Sequence, residues 1–248
     1  LAAMTQFVAA SPIQPVIADF DRDGVPDAAV TNGSADTISV FKGAGGGAFL
    51  SATAYDVPNL WDPLRVFAQD LDADGDRDLV VMDKDRRRVV LTNDGAGSFQ
   101  VGALTGTASY GVSDAIGGDL NGDNRLDLIA ADSYNDSLAI YLGGSGGTFL
   151  GPTTFPTDPS PYALATGDFN RDGKLDVVAL ASSGTASVLL GNGNGTLQAA
   201  VNTFIGKQFT GDGGQAINAY LDMPKGFVQQ ADGSIMIADT INNVLRKV

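Results

Sequence analysis

One nine-residue pattern, D-[FL]-[DN]-x-D-[GN]-x-x-D, recurs four times in this chain. It starts at Asp19, Asp70, Asp119 and Asp168, with spacings of 51, 49 and 49 residues. A repeat of that period constrains the fold before any residue-level reading, because each unit must bury its apolar face against its neighbour. Two further markers keep the same period. A glycine-rich turn ends in an apolar residue at Phe49, Phe99, Phe149 and Leu197, and a proline lies seven residues before three of the motif starts, at Pro12, Pro63 and Pro161.

Within each unit the apolar stretches are short. One (Val16 to Ala18 in the first unit) leads into the aspartate loop, and a second follows it at once: Ala28 to Thr31, Leu79 to Met82, Leu128 to Ala131 and Val177 to Leu180. A third comes after a polar turn, and a weaker, more polar fourth follows the glycine turn. Four strands in about 49 residues, separated by Gly, Asp and Asn turns, describe a propeller blade. An open β-solenoid is the other architecture, but its units are usually shorter. Pro224 keeps the blade phase where the aspartate motif is gone. The motif loop there shrinks to a tight hairpin at Gln230 to Gly233, with strands at Ser234 to Ala238 and Val244 to Val248. That final unit is one strand short, and Met4 to Ala9 has no other partner. Pairing the two ends would complete it and hide both open edges. The expectation is one all-β domain, a single five-bladed propeller of four-stranded antiparallel sheets. Its parts are a closing strand at 1–10 and blades at 11–60, 61–110, 111–159, 160–205 and 206–248. A closed ring implies a monomer, whereas unpaired ends would drive oligomerisation.

Composition agrees and removes chemistry. All 29 acidic residues are aspartate, and with 15 basic ones they leave a net charge of −14. Aspartate favours turns and caps where glutamate favours helix interiors. With neither His nor Cys, the chain lacks histidine triads, thiol nucleophiles, disulfides and Cys- or His-ligated zinc, copper or haem sites. The acidic balance argues against a nucleic-acid partner. No apolar run is long enough for a membrane-spanning helix, and the N-terminal residues do not read as a signal peptide.

The aspartate loops carry the candidate chemistry. The first offers Asp19, Asp21, Asp23 and Asp27, and the second Asp70, Asp72, Asp74 and Asp78. The third offers Asp119, Asn121, Asp123 and Asp127, and the fourth Asp168, Asn170, Asp172 and Asp176. Alternate carboxylates in a tight loop aim oxygens at one centre and repel one another unless a cation is present. Oxygen ligands without nitrogen or sulfur select Ca²⁺ or Mg²⁺, and six to eight flexible oxygens favour Ca²⁺. Motif position six, occupied by Gly24, Gly75, Asn124 and Gly173, suits a left-handed turn. Position seven (Val25, Asp76, Arg125, Lys174) is too varied for a side-chain ligand, and a backbone carbonyl there fits. An EF-hand is excluded because it needs a glutamate at position twelve and flanking helices. The other reading is that the aspartates form Asx-turns that cap hairpins. Once-per-blade recurrence makes any metal structural, at about four Ca²⁺ per chain. The loops with Asn at position three carry one charge less and should bind more weakly.

These loops resemble the calcium loops of FG-GAP/VCBS repeats, over roughly residues 12–198. Such repeats form the propeller of integrin α-subunits and of many bacterial extracellular proteins. The resemblance implies side-chain ligands at positions one, three, five and nine, a carbonyl at seven, an extracellular or cell-surface location, and protein or glycan ligands. It departs in count, since integrin-type propellers have seven blades. Thr210 to Ala216, Ile237 to Thr240 and Asn242 to Val248 resemble an NHL repeat instead, making the chain a hybrid, natural or engineered.

Other features read as structural. Gly43 to Gly47 and Gly143 to Gly147 are turns rather than phosphate cradles. Arg86 to Arg88 are a solvated turn, Trp61 is packing at an inter-blade linker, and Asp212 with Asp222 are not a catalytic pair. The expected function is a non-enzymatic scaffold or recognition module with an unidentified protein or glycan ligand. The alternative is a lyase or hydrolase acting on polysaccharide.

Overall fold

The computed structural model describes residues 11–60, 62–106 and 111–204, and beyond them the backbone of three strands within 224–247. The expected closing strand at Met4 to Ala9, Trp61, Asp212, Asp222, most of the NHL-like segment and the hairpin at 230–233 lie outside the described residues.

The chain is all-β, with two single 3₁₀ turns. The first sheet comprises β1 (Pro12–Ala18), β2 (Asp27–Asn32), β3 (Thr37–Phe41) and β6 (Thr53–Asp56), and a separate small hairpin of β4 (Gly43–Gly45) and β5 (Ala48–Phe49) lies between the last two in sequence. The second holds β7 (Pro63–Gln69), β8 (Asp78–Asp83), β9 (Arg88–Asn93) and β10 (Phe99–Val101). The third holds β11 (Val112–Gly118), β12 (Asp127–Asp132), β13 (Ser137–Gly143) and β14 (Phe149–Pro156). The fourth holds β15 (Pro161–Gly167), β16 (Asp176–Ala181), β17 (Thr185–Leu189) and β18 (Val201–Phe204). Each of these four is a four-stranded antiparallel meander. The fifth has three described strands, β19 (Pro224–Gln229), β20 (Ile235–Asp239) and β21 (Val244–Lys247). These are the five antiparallel, propeller-type sheets that the repeat predicts.

Burial explains the strand sequences. The second strands β8, β12 and β16 are buried at every position. They therefore read as continuous apolar runs that follow an aspartate instead of alternating. The outer strands β6 and β14 are mostly exposed, hence their polar character. The proline marker opens β1, β7 and β15, where a missing N–H costs least. In all five sheets the ladder is irregular just after that first residue, including between Pro224 and Gly226. Pro224 therefore occupies the phase the sequence assigns to it.

The chain divides into two compact units. One spans 1–110 with 144–148, and the other spans 111–143 with 149–248. In the first, Phe20, Ile38, Val66, Leu79, Leu91 and Phe99 form one core. In the second, Leu120, Ile129, Ile140, Leu164, Val177 and Leu197 do the same. Both cores join motif position two (Phe20, Leu120) to the apolar residue closing the next repeat's glycine turn (Phe99, Leu197). Phe20 and Phe99 meet edge to face with ring centroids 5.3 Å apart. Within each unit the second sequence marker, Phe99 or Leu197, is thus a wedge between successive sheets.

One expectation is corrected. The arginine run is not a solvated turn, because Arg88 opens β9 and is 5% exposed. Arg87 donates from Nε to the fully buried Asp83 at 2.7 Å and from Nη2 to Asp85 at 3.2 Å. A buried carboxylate at the end of β8 needs a cation, which draws this arginine inward.

Candidate metal centres

The four aspartate loops link the first and second strands of their sheets and share one hydrogen-bond plan. The position-one carboxylate accepts the position-six N–H in every copy: Gly24 to Asp19 at 2.9 Å, Gly75 to Asp70 at 3.0 Å, Asn124 to Asp119 at 2.8 Å and Gly173 to Asp168 at 2.9 Å. Positions three and five each accept the N–H two residues on, as in Asp23 to Asp21 at 3.3 Å and Val25 to Asp23 at 2.7 Å. These are Asx-turns. They engage one oxygen of each position-five carboxylate and fix the direction of the other, so the turn reading and the metal reading describe the same geometry.

Left-handed backbone occurs at position six, as expected, with Gly24 at φ 82° and Asn124 at φ 62°. It also occurs at position four: Arg22, Ala73, Gly122 and Arg171 all lie between φ 60° and 76°. Sequence gave no sign of this, since Arg, Ala and Gly share no turn preference. The network of carboxylate-to-N–H bonds holds these residues in a conformation that side chains disfavour.

Position nine has a second role. Asp27, Asp78, Asp127 and Asp176 are at most 1% exposed. In each, one oxygen accepts the position-two N–H: Phe20 at 2.7 Å, Leu71 at 3.0 Å, Leu120 at 2.8 Å and Phe169 at 2.9 Å. The other accepts an N–H at the end of the third strand or just after it: Gly43 at 2.7 Å, Asn93 at 2.8 Å, Gly143 at 2.8 Å and Gly191 at 2.8 Å. The carboxylate thereby ties the loop to the third strand. Burial pushes the Asp78 carboxyl above its ordinary value, with the charges of Asp72 and Asp74 adding to the rise against the N–H bonds from Asn93 and Leu71. Asp127 is raised in the same way, first by burial and then by Asp123 and Asp119.

The loops differ in charge. In the first, oxygens of Asp19, Asp21 and Asp23 lie within 4.8 Å of one another, and in the second those of Asp70, Asp72 and Asp78 do. Asp19 Oδ1 is buried there and accepts no hydrogen bond. An all-oxygen donor set that includes a residue with an unsatisfied buried oxygen fits a hard divalent cation. Nearby cations touch these two loops from outside the position-five carboxylates: Lys42 lies 3.4 Å from Asp21, and Arg22 pairs with Asp76. No such group of three carboxylates occurs in the third or fourth loop among the described residues, because Asn121 and Asn170 hold position three.

In those loops position seven is basic and turns onto position five. Arg125 Nη2 lies 2.5 Å from Asp123 Oδ2, and Lys174 Nζ lies 3.5 Å from Asp172 Oδ2. Burial alone would raise the Asp123 carboxyl, but the N–H of Arg125, the Asn121 amide and the Arg125 guanidinium outweigh it and hold it low. Asp172 is held low against burial by the Lys174 N–H, the Asn170 side chain and the Lys174 ammonium. Sequence reading missed this use of position seven, although a basic residue two places after an aspartate was the available signal.

Elsewhere, a recess of about 420 Å³ in the first unit is lined by residues including Asp56, Val57, Asn59, Leu60, Val89 and Leu104. Asp56 is the only acidic residue of its lining among the described residues. No helix among the described residues is long and apolar enough to cross a membrane.

A family model for the FG-GAP-like repeat matches three overlapping stretches, 19–81, 70–130 and 119–179. No curated protein sequence is significantly similar to the chain. Among solved structures, it is similar to a lectin from Agrocybe aegerita that recognises non-reducing terminal N-acetylglucosamine, with 23% identity and TM-score 0.62 over 93% of this chain and 61% of that one. A functionally unknown protein from Desulfotomaculum acetoxidans matches with 12% identity and TM-score 0.62 over 97% and 70%. Virginiamycin B lyase from Staphylococcus aureus matches with 15% identity and TM-score 0.53 over 94% and 68%. At these identities the likeness is one of fold. The chain spans about three-fifths of the lectin's length.

Proposed function

The chain belongs to the FG-GAP-like repeat family, and from that premise we propose that it is a calcium-stabilised, non-enzymatic recognition scaffold of an extracellular protein. Each of the four loops holds one Ca²⁺. Side-chain oxygens at positions one, three, five and nine and the position-seven carbonyl face the ion, and position nine also anchors the loop. The ion neutralises carboxylates that otherwise repel and, at Asp19, serves the one oxygen, Oδ1, that accepts no hydrogen bond. Its role is structural: it locks the connection between the first two strands of a sheet, and the recognition surface is carried on the rigid blades. The fifth sheet is an NHL-type blade without metal and completes a monomeric ring with the N-terminal strand. The ligand class is protein or glycan, and glycan recognition by the lectin of similar fold supports testing glycans first. That step rests on fold analogy.

The observations that carry the reading are the convergence of Asp19, Asp21 and Asp23 and, within that group, the buried and donor-less Asp19 Oδ1. Calorimetric titration of the EDTA-stripped protein with calcium, with the melting temperature followed in parallel, should give about four ions per chain and a large gain in stability. Absence of both binding and stabilisation overturns the proposal. Incubation with a panel of polysaccharides should leave them intact, and turnover would overturn the non-enzymatic part.

A further inference from the structure

We propose that Arg125 and Lys174 are tethered counter-cations, so that the third and fourth loops take calcium more weakly than the first two and hold their shape without it. The inference rests on the calcium reading above and adds, to the weaker binding already expected from Asn at position three, a second and separable cause in the basic residue at position seven.

In every loop Oδ1 of the position-five aspartate is engaged by the N–H two residues on: Val25, Asp76, Arg125 and Lys174. Oδ2 is the oxygen left for a cation. In the third loop it receives both the Arg125 guanidinium at 2.5 Å and the Asn121 amide at 3.0 Å. Arg125 is held in that pose by a second bond, from Nε to the Gly143 carbonyl at 2.9 Å. In the fourth loop Oδ2 faces the Lys174 ammonium at 3.5 Å. The corresponding side chains of the first two loops are Val25, which has no charge, and Asp76, which has the opposite one and pairs with Arg22. A calcium ion entering the third or fourth loop must displace a bound cation and then sit beside it. Coulomb repulsion between a divalent ion and a unit charge a few ångströms apart in a solvated loop, screened by salt, lowers affinity by about three- to tenfold per site. Asn at position three lowers it further. The same basic residues relieve repulsion when the ion is absent, which the first two loops lack at position five.

The test is calorimetric calcium titration of the full chain. The wild-type protein should show two classes of site, two tight and two weak. Asp119→Ala with Asp168→Ala should remove the weak class alone. Arg125→Gln with Lys174→Gln keeps side-chain length and removes the charge, so it should tighten the weak class about three- to tenfold, leave the tight class in place, and lower the melting temperature in EDTA. Should the double variant fold poorly, Lys174→Gln alone tests the fourth loop, where the ion pair is exposed. Four equal sites in the wild type, or an unchanged weak class in the Gln variants, overturn the tethered-cation inference and leave calcium binding standing. Failure of every protein to take up calcium overturns the underlying reading instead.

Discussion

Replacing Asp127 by alanine separates the structural role of position nine from any metal it helps to hold. The carboxylate is fully buried and accepts the N–H groups of Leu120 and Gly143, each at 2.8 Å. Alanine leaves both amides unpaired in a site closed to water. A buried donor without a partner costs about 1–3 kcal/mol, so the two together cost about 2–6 kcal/mol. Part is returned, because burial and the nearby charges of Asp123 and Asp119 already oppose ionisation of Asp127. A net loss of about 2–4 kcal/mol is expected, and at this chain length each kcal/mol lowers the melting temperature by about 2–4 °C. Thermal unfolding followed by circular dichroism in EDTA should therefore show a drop of roughly 4–16 °C. Working in EDTA removes the metal from the comparison. Asp123→Ala, which removes an exposed-loop contact, should cost less than about 1 kcal/mol under the same conditions. If Asp127→Ala in EDTA is no more destabilising than Asp123→Ala, the anchoring role assigned to position nine is wrong.

Three further outcomes follow from the same geometry. Asp78 and Asp127 have raised native-state pKa values, so the native state binds more protons than the unfolded one above the ordinary carboxylate range. In EDTA, stability should fall as pH rises through that window, whereas the contributions of Asp123 and Asp172, shifted down, are lost only as pH falls below the ordinary value. A flat melting profile between that range and neutrality would count against the burial argument, and added calcium should shift the optimum upward. Phe20→Ala removes a ring that is 1% exposed and packed on Phe99, for about 3–5 kcal/mol. Phe20→Leu, the residue the second and third repeats use, should cost about half as much in a denaturant melt. A Cβ on Gly143 would collide with the Leu126 carbonyl, while one on Gly146 meets nothing. Gly143→Ala should thus be the more harmful in urea unfolding by at least about 1 kcal/mol, and equal effects would contradict the close approach.

Sequence alone determined the period, the all-β class, the order of strands within each sheet and the residues of the four loops. It could do so because these depend on local patterning: apolar runs between turn formers, and carboxylates at fixed offsets. It also placed Pro224 in phase, and the fifth sheet opens there with the same irregularity as the others. Only the tertiary structure decided what those residues touch. Asp127 and its counterparts read as ligands by spacing, and their oxygens also accept backbone N–H groups, one of them 15 or 16 residues away at or just past the end of the third strand. The strained position four carries no residue preference, because its φ is imposed by neighbouring bonds. The arginine run looked solvated until the buried Asp83 drew Arg87 to it. Charge compensation, like wedge packing of Phe20 on Phe99, depends on distances between segments remote in the chain. A linear pattern fixes which groups are present, and the fold alone sets which of them are close enough to act on one another.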